Sequence, residues 1–290
     1  MKKNFSYKVS LHCWGGLGSQ LFAWALAEQI LIKYPKKRIQ IFLHTSGVTK
    51  RLPEVDFLST RFELVYKNDY VKRSANTDFP HSRKLNFKNG LKMLLDALRI
   101  INSSDKSTSI SQIKPWTRSL RGHYSNNDVP QLIIERMKLR INEIEDNTTK
   151  GIDRPSSTLG VHYRLGDLLH LENKSFIAPE EIGPVVEHVL MTKQIDRVVV
   201  YSDAIHESKK FLQSYLPADT EYFDSSIWDT LLVLSKHKYF IGSNSKISVW
   251  ITLFQHSQVV NSESWLPQSM GKNINNKFYG LYDFEQVHLY

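Results

Sequence analysis

The chain has 290 residues, 41% of them hydrophobic and 23% charged, with a formal net charge of +9 and a single cysteine, Cys13. That length and balance suit two modest globular domains and exclude a disordered or low-complexity chain. One cysteine excludes an intramolecular disulfide, no apolar run approaches the ~20 residues of a membrane span, and the positive excess favours anionic partners.

Hydrophobic periodicity predicts strand Lys8–Cys13, helix Ser19–Lys33, strand Arg38–Leu43 and strand Arg61–Tyr66. A basic connector with Lys72, Arg73, Arg83, Lys84, Lys88 and Lys92 leads into helix Gly90–Ile101, whose apolar stripe is Leu91, Leu94, Leu95 and Leu98. Residues 102–111 read as a loop, and Val129–Ile144 as a helix. The second half alternates more regularly. Strand Ser157–Val161 is followed by helix Glu180–Met191, whose first turns Pro179 and Pro184 are expected to disturb. Then come strand Arg197–Ser202, helix Ala204–Leu216, strand Glu221–Phe223 and helix Ile227–Ser235. Strand Tyr239–Gly242, helix Lys246–Phe254 and strand Gln258–Val260 follow, and the aromatic-rich residues from Trp265 onward are expected to pack. Such alternation marks parallel sheets covered by helices, so the fold class is α/β. A polar, proline-containing link divides the chain into domains 1–150 and 151–290.

Two segments carry chemistry. In Trp14-Gly15-Gly16-Leu17-Gly18-Ser19-Gln20 the glycines sit at a strand-to-helix turn, where they permit positive φ and close backbone approach to a ligand. The following helix start offers N–H groups to an anion. No P-loop Gly-Lys-Ser/Thr follows, and the dinucleotide spacing is absent. In His162-Tyr163-Arg164-Leu165-Gly166-Asp167, polar groups lie at the carboxyl end of a strand, where open α/β sheets bind ligands. Arg164 suits a phosphate through its planar, permanently charged fork, or pairs structurally with Asp167.

Together these segments resemble the α-1,2-fucosyltransferase family. Tyr201-Ser202-Asp203, Asp229 to His237 and Ile241 to Trp250 resemble further elements of that family in the same order, and Leu120 to Ser125 is a fainter match. The family has Asn, a second Arg and a second Trp where this chain has Ser19, Leu165 and Val249. The resemblance implies two Rossmann-like domains facing a cleft, the B-type glycosyltransferase fold, with the nucleotide held by the C-terminal half and the acceptor mainly by the N-terminal half. It implies inverting transfer of L-fucose from GDP-fucose to an acceptor hydroxyl, in α-1,2 linkage, for surface polysaccharide synthesis.

Under that resemblance Arg164 holds the β-phosphate. Glu172, at the spacing from His162 of a catalytic Glu in related α-1,6 enzymes, is the expected base, with Asp167 and His170 as alternatives. Substrate contacts are expected from Gly15, Gly16, Gly18, Ser19, Gln20, His162, Asp203, Asp229, Ser243, Asn244, Ser245, Lys246 and Ser248. Trp14 is read as stacking on a sugar or packing at the turn. No Asp-x-Asp occurs, so no metal and no cofactor beyond the donor is expected. The expected partners are the GDP-sugar, a glycan or lipid-linked oligosaccharide, and an anionic membrane surface met by the basic cluster, with no nucleic acid. The expected location is the cytoplasm or the inner face of the cell membrane, because Ser6, Lys8, Ser10, His12 and Gln20 break up any signal-peptide core after Met1-Lys2-Lys3. Alternatives are another GDP-deoxy-sugar such as colitose, or a non-catalytic nucleotide-sugar-binding protein.

Overall fold

The computed structural model describes residues 8–44, 62–67, 91, 94–102, 110–122, 124–125, 128–145, 157–170, 176–271 and 286–290. Most of the basic connector, and Glu172, lie outside the described residues. Contacts divide the chain into two units, Met1–Arg140 and Ile141–Tyr290. Each is a parallel sheet with helices, the α/β class that the alternation predicts.

Unit 1 holds β1 (Lys8–Trp14), β2 (Arg38–His44), β3 (Glu63–Lys67), β4 (Ile101–Asn102) and β5 (Ser119–Gly122), in the order β3-β2-β1-β5-β4 with every pairing parallel. Val9, Leu11 and Cys13 alternate into the core. Helix α1 (Leu17–Lys33) packs on β1 and β2, and its residues from Leu17 to Ile30 are all buried. Burying side chains such as Leu21, Leu26 and Ile30 contributes about 1.5–3 kcal/mol each. Helix α2 (Gln131–Glu145) follows β5 in the chain.

Unit 2 holds β6 (Thr158–His162), β7 (Arg197–Tyr201), β8 (Glu221–Phe223), β9 (Tyr239–Gly242), β10 (Glu263–Leu266) and β11 (Val287–Leu289). Its helices are α3 (Pro179–Thr192), α4 (Ile205–Leu212), α5 (Ile227–Leu234) and α6 (Lys246–Gln258), with a helical turn, α7, at Gln268–Gly271. The strand order is β11-β10-β9-β6-β7-β8, again all parallel. Read from β8, this is the doubly wound order 3-2-1-4-5-6. Central β6 is buried along its whole length, as a strand covered on both faces must be.

The structure corrects several sequence expectations. Helix α1 begins at Leu17, so Gly18 and Ser19 belong to its first turn. The helix expected to reach Ile101 ends earlier: 94–97 are helical, Arg99 turns with φ 56°, and Ile101 enters β4. Pro184 does not interrupt α3, because it removes a single N–H near the helix start and Pro179 occupies the first position, where no N–H partner is needed. The strand expected at 258–260 does not form. Helix α6 runs on to Gln258, whose amide donates to the Ser235 carbonyl, and a turn at Asn261 (φ 53°) leads to β10. Strands β4, β5, β10 and β11 were not predicted. Of the C-terminal residues expected to pack, Trp265 is buried and Tyr290 donates its hydroxyl to the Gly242 carbonyl at 2.7 Å, while 272–285 lie outside the described residues.

Candidate functional site

The strand order of unit 2 reverses between β6 and β9. Chains leaving neighbouring strands there go to opposite faces, opening a crevice at the carboxyl edge. His162 and Gly242 end those strands side by side. The segments that follow are Tyr163–Asp167 and Ser243–Lys246, so the fold itself brings the two strongest motifs of the second half together.

Alternation along β6 sorts its side chains. Leu159, Val161, Tyr163 and Leu165 all enter the apolar cluster with Ile182, Val186 and Val189 of α3. The Tyr163 hydroxyl donates to the Ile177 carbonyl at 2.9 Å. Gly160 and His162 face α5 and α6: a Cβ on Gly160 would meet Leu234, and His162 Nδ1 lies 2.8 Å from Ser248 Oγ. Position 165 is fully buried, which is why a leucine, and not a second arginine, stands there; Val249 is likewise fully buried.

Arg164 is about one-quarter exposed, and its Nη2 donates to both Asp167 oxygens, at 2.8 and 3.2 Å. Its backbone N–H donates to Ser243 Oγ at 2.9 Å. Asp203 Oδ1 accepts from the N–H groups of Leu165 and Gly166, both at 2.9 Å. Asp203 therefore ties down the loop that carries Arg164. Asp167 and His170 sit in the short 3-10 turn Gly166–His170 that follows.

Ser245 caps α6, its Oγ accepting from Ile247 N–H. Asn244 and Lys246 flank the cap and are partly exposed. Ser243 and Ser248 are fully buried, and their hydroxyls accept from Arg164 N–H and Ser243 N–H. They shape the crevice from inside. Asp229 is exposed near the start of α5, where it accepts from the hydroxyl of the N-cap Ser226 at 2.6 Å. It thus supports a helix start.

In unit 1, order reverses between β1 and β5. Of the three glycines, Gly15 alone has a positive φ, 100°; Gly16 is the N-cap of α1. Gln20 donates its amide to the Gly15 carbonyl at 3.2 Å, and Ser19 is buried. Trp14 stacks on His44 at 4.2 Å, with the Arg121 guanidinium 5.0 Å from its ring. Those protein neighbours fit the packing alternative for Trp14. His12 Nδ1 lies 3.0 Å from His44 Nε2, and Tyr124 donates its hydroxyl to the His12 carbonyl. The sequence reading missed this cluster. Its signal was the alternation of His12 with Trp14 and of Phe42 with His44 on one sheet face.

Burial lowers the His162 pKa to about 4, outweighing the attraction of Asp203, and the Arg164 charge acts with burial. An unfolded chain titrates this group near 6.5. The unfolded state therefore takes up the extra proton between about pH 6.5 and 4, and stability falls as pH is lowered through that window. His256, lowered to about 4 by burial and by His288, acts in the same direction. Denaturant titrations at pH 7 and pH 5 should show a clear stability loss that His162→Gln flattens. An unchanged pH slope in that variant would contradict the assignment.

No family model and no curated protein matches the chain by sequence. Among solved structures it is similar to the E. coli heptosyltransferase WaaC with ADP, at TM-score 0.49 and 12% identity over 97% of this chain and 93% of that one. It is similar to a family 9 glycosyl transferase from Veillonella parvula, at TM-score 0.48 and 10% identity over 98% and 87%. It is also similar to POFUT1 in complex with GDP-fucose, at TM-score 0.39 and 12% identity over 91% and 98%. The likeness goes no further than the strand–helix architecture already described.

Proposed function

We propose that the chain is a glycosyltransferase that holds a GDP-sugar at the carboxyl edge of the unit 2 sheet. It transfers L-fucose, with inversion and without a metal ion, to a hydroxyl of an acceptor glycan. The observation that carries this reading is the position of Arg164 at the strand-order reversal. Its Nη2 is held by Asp167, while among the described residues Nε and Nη1 make no hydrogen bond. Those two nitrogens leave Arg164 with donors for diphosphate oxygens on either side of its ion pair. The start of α6 beside it adds oriented N–H groups.

In the reaction the acceptor oxygen bonds to the anomeric carbon as the bond from that carbon to the β-phosphate oxygen breaks. The electron pair stays on the diphosphate, where Arg164 stabilises the developing charge. The acceptor proton passes to a base, for which Glu172 is the proposal. Asp167 is already committed to Arg164. The motif resemblance favours fucose and α-1,2 linkage, with a glycan or lipid-linked oligosaccharide as acceptor. Calorimetry in the presence of a chelator should show GDP binding at least about tenfold tighter than UDP and raising the melting temperature. Equal affinity for UDP, or binding lost on chelation, would contradict the reading.

A further inference from the structure

We propose that the amino-terminal edge of the unit 1 sheet is a docking surface for an anionic lipid bilayer. The surface lies at the opposite end of that sheet from the glycine turn and does not rest on the sugar-transfer reading.

The apolar part is a set of exposed leucines among the described residues. Leu91, Leu94 and Leu98 fall on one helical face and are 46%, 55% and 51% exposed. Trp116, 52% exposed, lies beside Leu98, its Nε1 donating to the Leu98 carbonyl at 2.9 Å. Of the stripe that helical spacing predicts, Leu95 is half-buried, while Leu91, Leu94 and Leu98 face solvent. A contiguous exposed patch of this kind marks an interaction site. A tryptophan next to leucines suits the headgroup–acyl boundary, where its ring is buried and its N–H stays satisfied.

The rim is cationic. Lys33 donates to the carbonyls of Ile110 and Ile113, and Lys37 to those of Lys114 and Thr117. The Tyr34 hydroxyl also donates to Ile113. These bonds clamp residues 110–117 to the end of α1, so Lys36, Lys114 and Arg118 are presented on a fixed frame. Among the described residues of 32–38, 91–102 and 110–118, Asp96 is the one acid. The crowding of positive charge is felt at Lys37, which burial, and then Arg118, lower to about 8. An anionic surface would relieve that repulsion. The exposed leucines beside the cations favour lipid over nucleic acid, because a phosphate backbone gains nothing from an aliphatic face.

Flotation with phosphatidylcholine vesicles, with and without phosphatidylglycerol, tests the proposal on the full chain. The protein should float with the anionic vesicles only and be released by salt near ~0.5 M. Lys36→Glu with Lys114→Glu should lower partitioning about tenfold or more. Lys209→Glu with Lys210→Glu, which changes net charge equally on exposed positions of α4, should leave it within about twofold. Leu94→Gln with Trp116→Ser should also lower partitioning, by about fivefold, with the circular dichroism spectrum unchanged. Equal loss from the two charge-reversal pairs, equal flotation with neutral vesicles, or no flotation would overturn the proposal. So would RNA binding that displaces vesicles and ignores the Leu94 and Trp116 changes.

Discussion

Arg164→Ala is expected to lower sugar transfer by about 100-fold or more while the protein stays folded. In the proposed role the guanidinium would meet charge that develops as the glycosyl bond breaks, so its loss should fall mainly on kcat. Its ion pair with Asp167 is partly exposed and worth at most about 1 kcal/mol to folding. The melting temperature should therefore hardly move. Arg164→Lys should recover little, because one ammonium cannot reach Asp167 and a phosphate through separate nitrogens of a planar fork. Near-normal turnover in either variant would remove Arg164 from the proposed role. Glu172→Gln should behave differently, binding GDP as the parent does but transferring slowly.

Gly242→Ala is expected to be strongly destabilising. A Cβ at that position would lie 2.6 Å from Ser248 Cβ and 2.6 Å from Leu266 Cδ2. Ser248 is on the first turn of α6 and cannot swing away without moving the helix start. It would also give up its contacts with His162 and the Ser243 N–H. Overpacking of this kind costs about 1–3 kcal/mol. For a unit of this size that lowers the melting temperature by roughly 2–4 °C per kcal/mol. GDP binding should weaken with it. Gly160→Ala is the internal comparison. Its nearest obstacle is Leu234 Cδ2, the far end of a flexible side chain, so its effect should be smaller. A Gly242→Ala protein with parental stability and GDP affinity would show that the α6 start is not fixed as described.

Much of unit 2 was legible because its strands are short, apolar and separated by amphipathic helices. β8 and β9 fall where the sequence pattern puts them, and the Arg164 loop and the Ser243–Lys246 segment were both visible as strand-to-loop polar runs. Their adjacency was not visible. It depends on β9 pairing with β6, which sequence periodicity does not encode. The roles of Ser243, Ser248 and Asp203 were hidden for the same reason. A serine near a helix start reads as a cap or a ligand contact; only the glycine at 242 reveals that Ser248 sinks against the strand. Leu165 read as the loss of a second arginine, whereas the alternation from Leu159 through Tyr163 makes it a core residue. β5 was missed because Arg121 and Gly122 make Ser119–Gly122 look like a turn. β11 was missed because the residues from Trp265 onward were read only as packing and were not divided into elements.

The most direct measurement is sugar transfer from a panel of nucleotide-sugars, assayed with a chelator present and with glycan acceptors. The account predicts turnover of GDP-fucose, or of another GDP-deoxy-sugar such as a colitose donor, at a rate the chelator does not change and Arg164→Ala abolishes. Turnover of UDP- or ADP-sugars in preference to GDP-sugars, strict dependence on a metal ion, or GDP-sugar binding with no transfer or hydrolysis across the panel would contradict it.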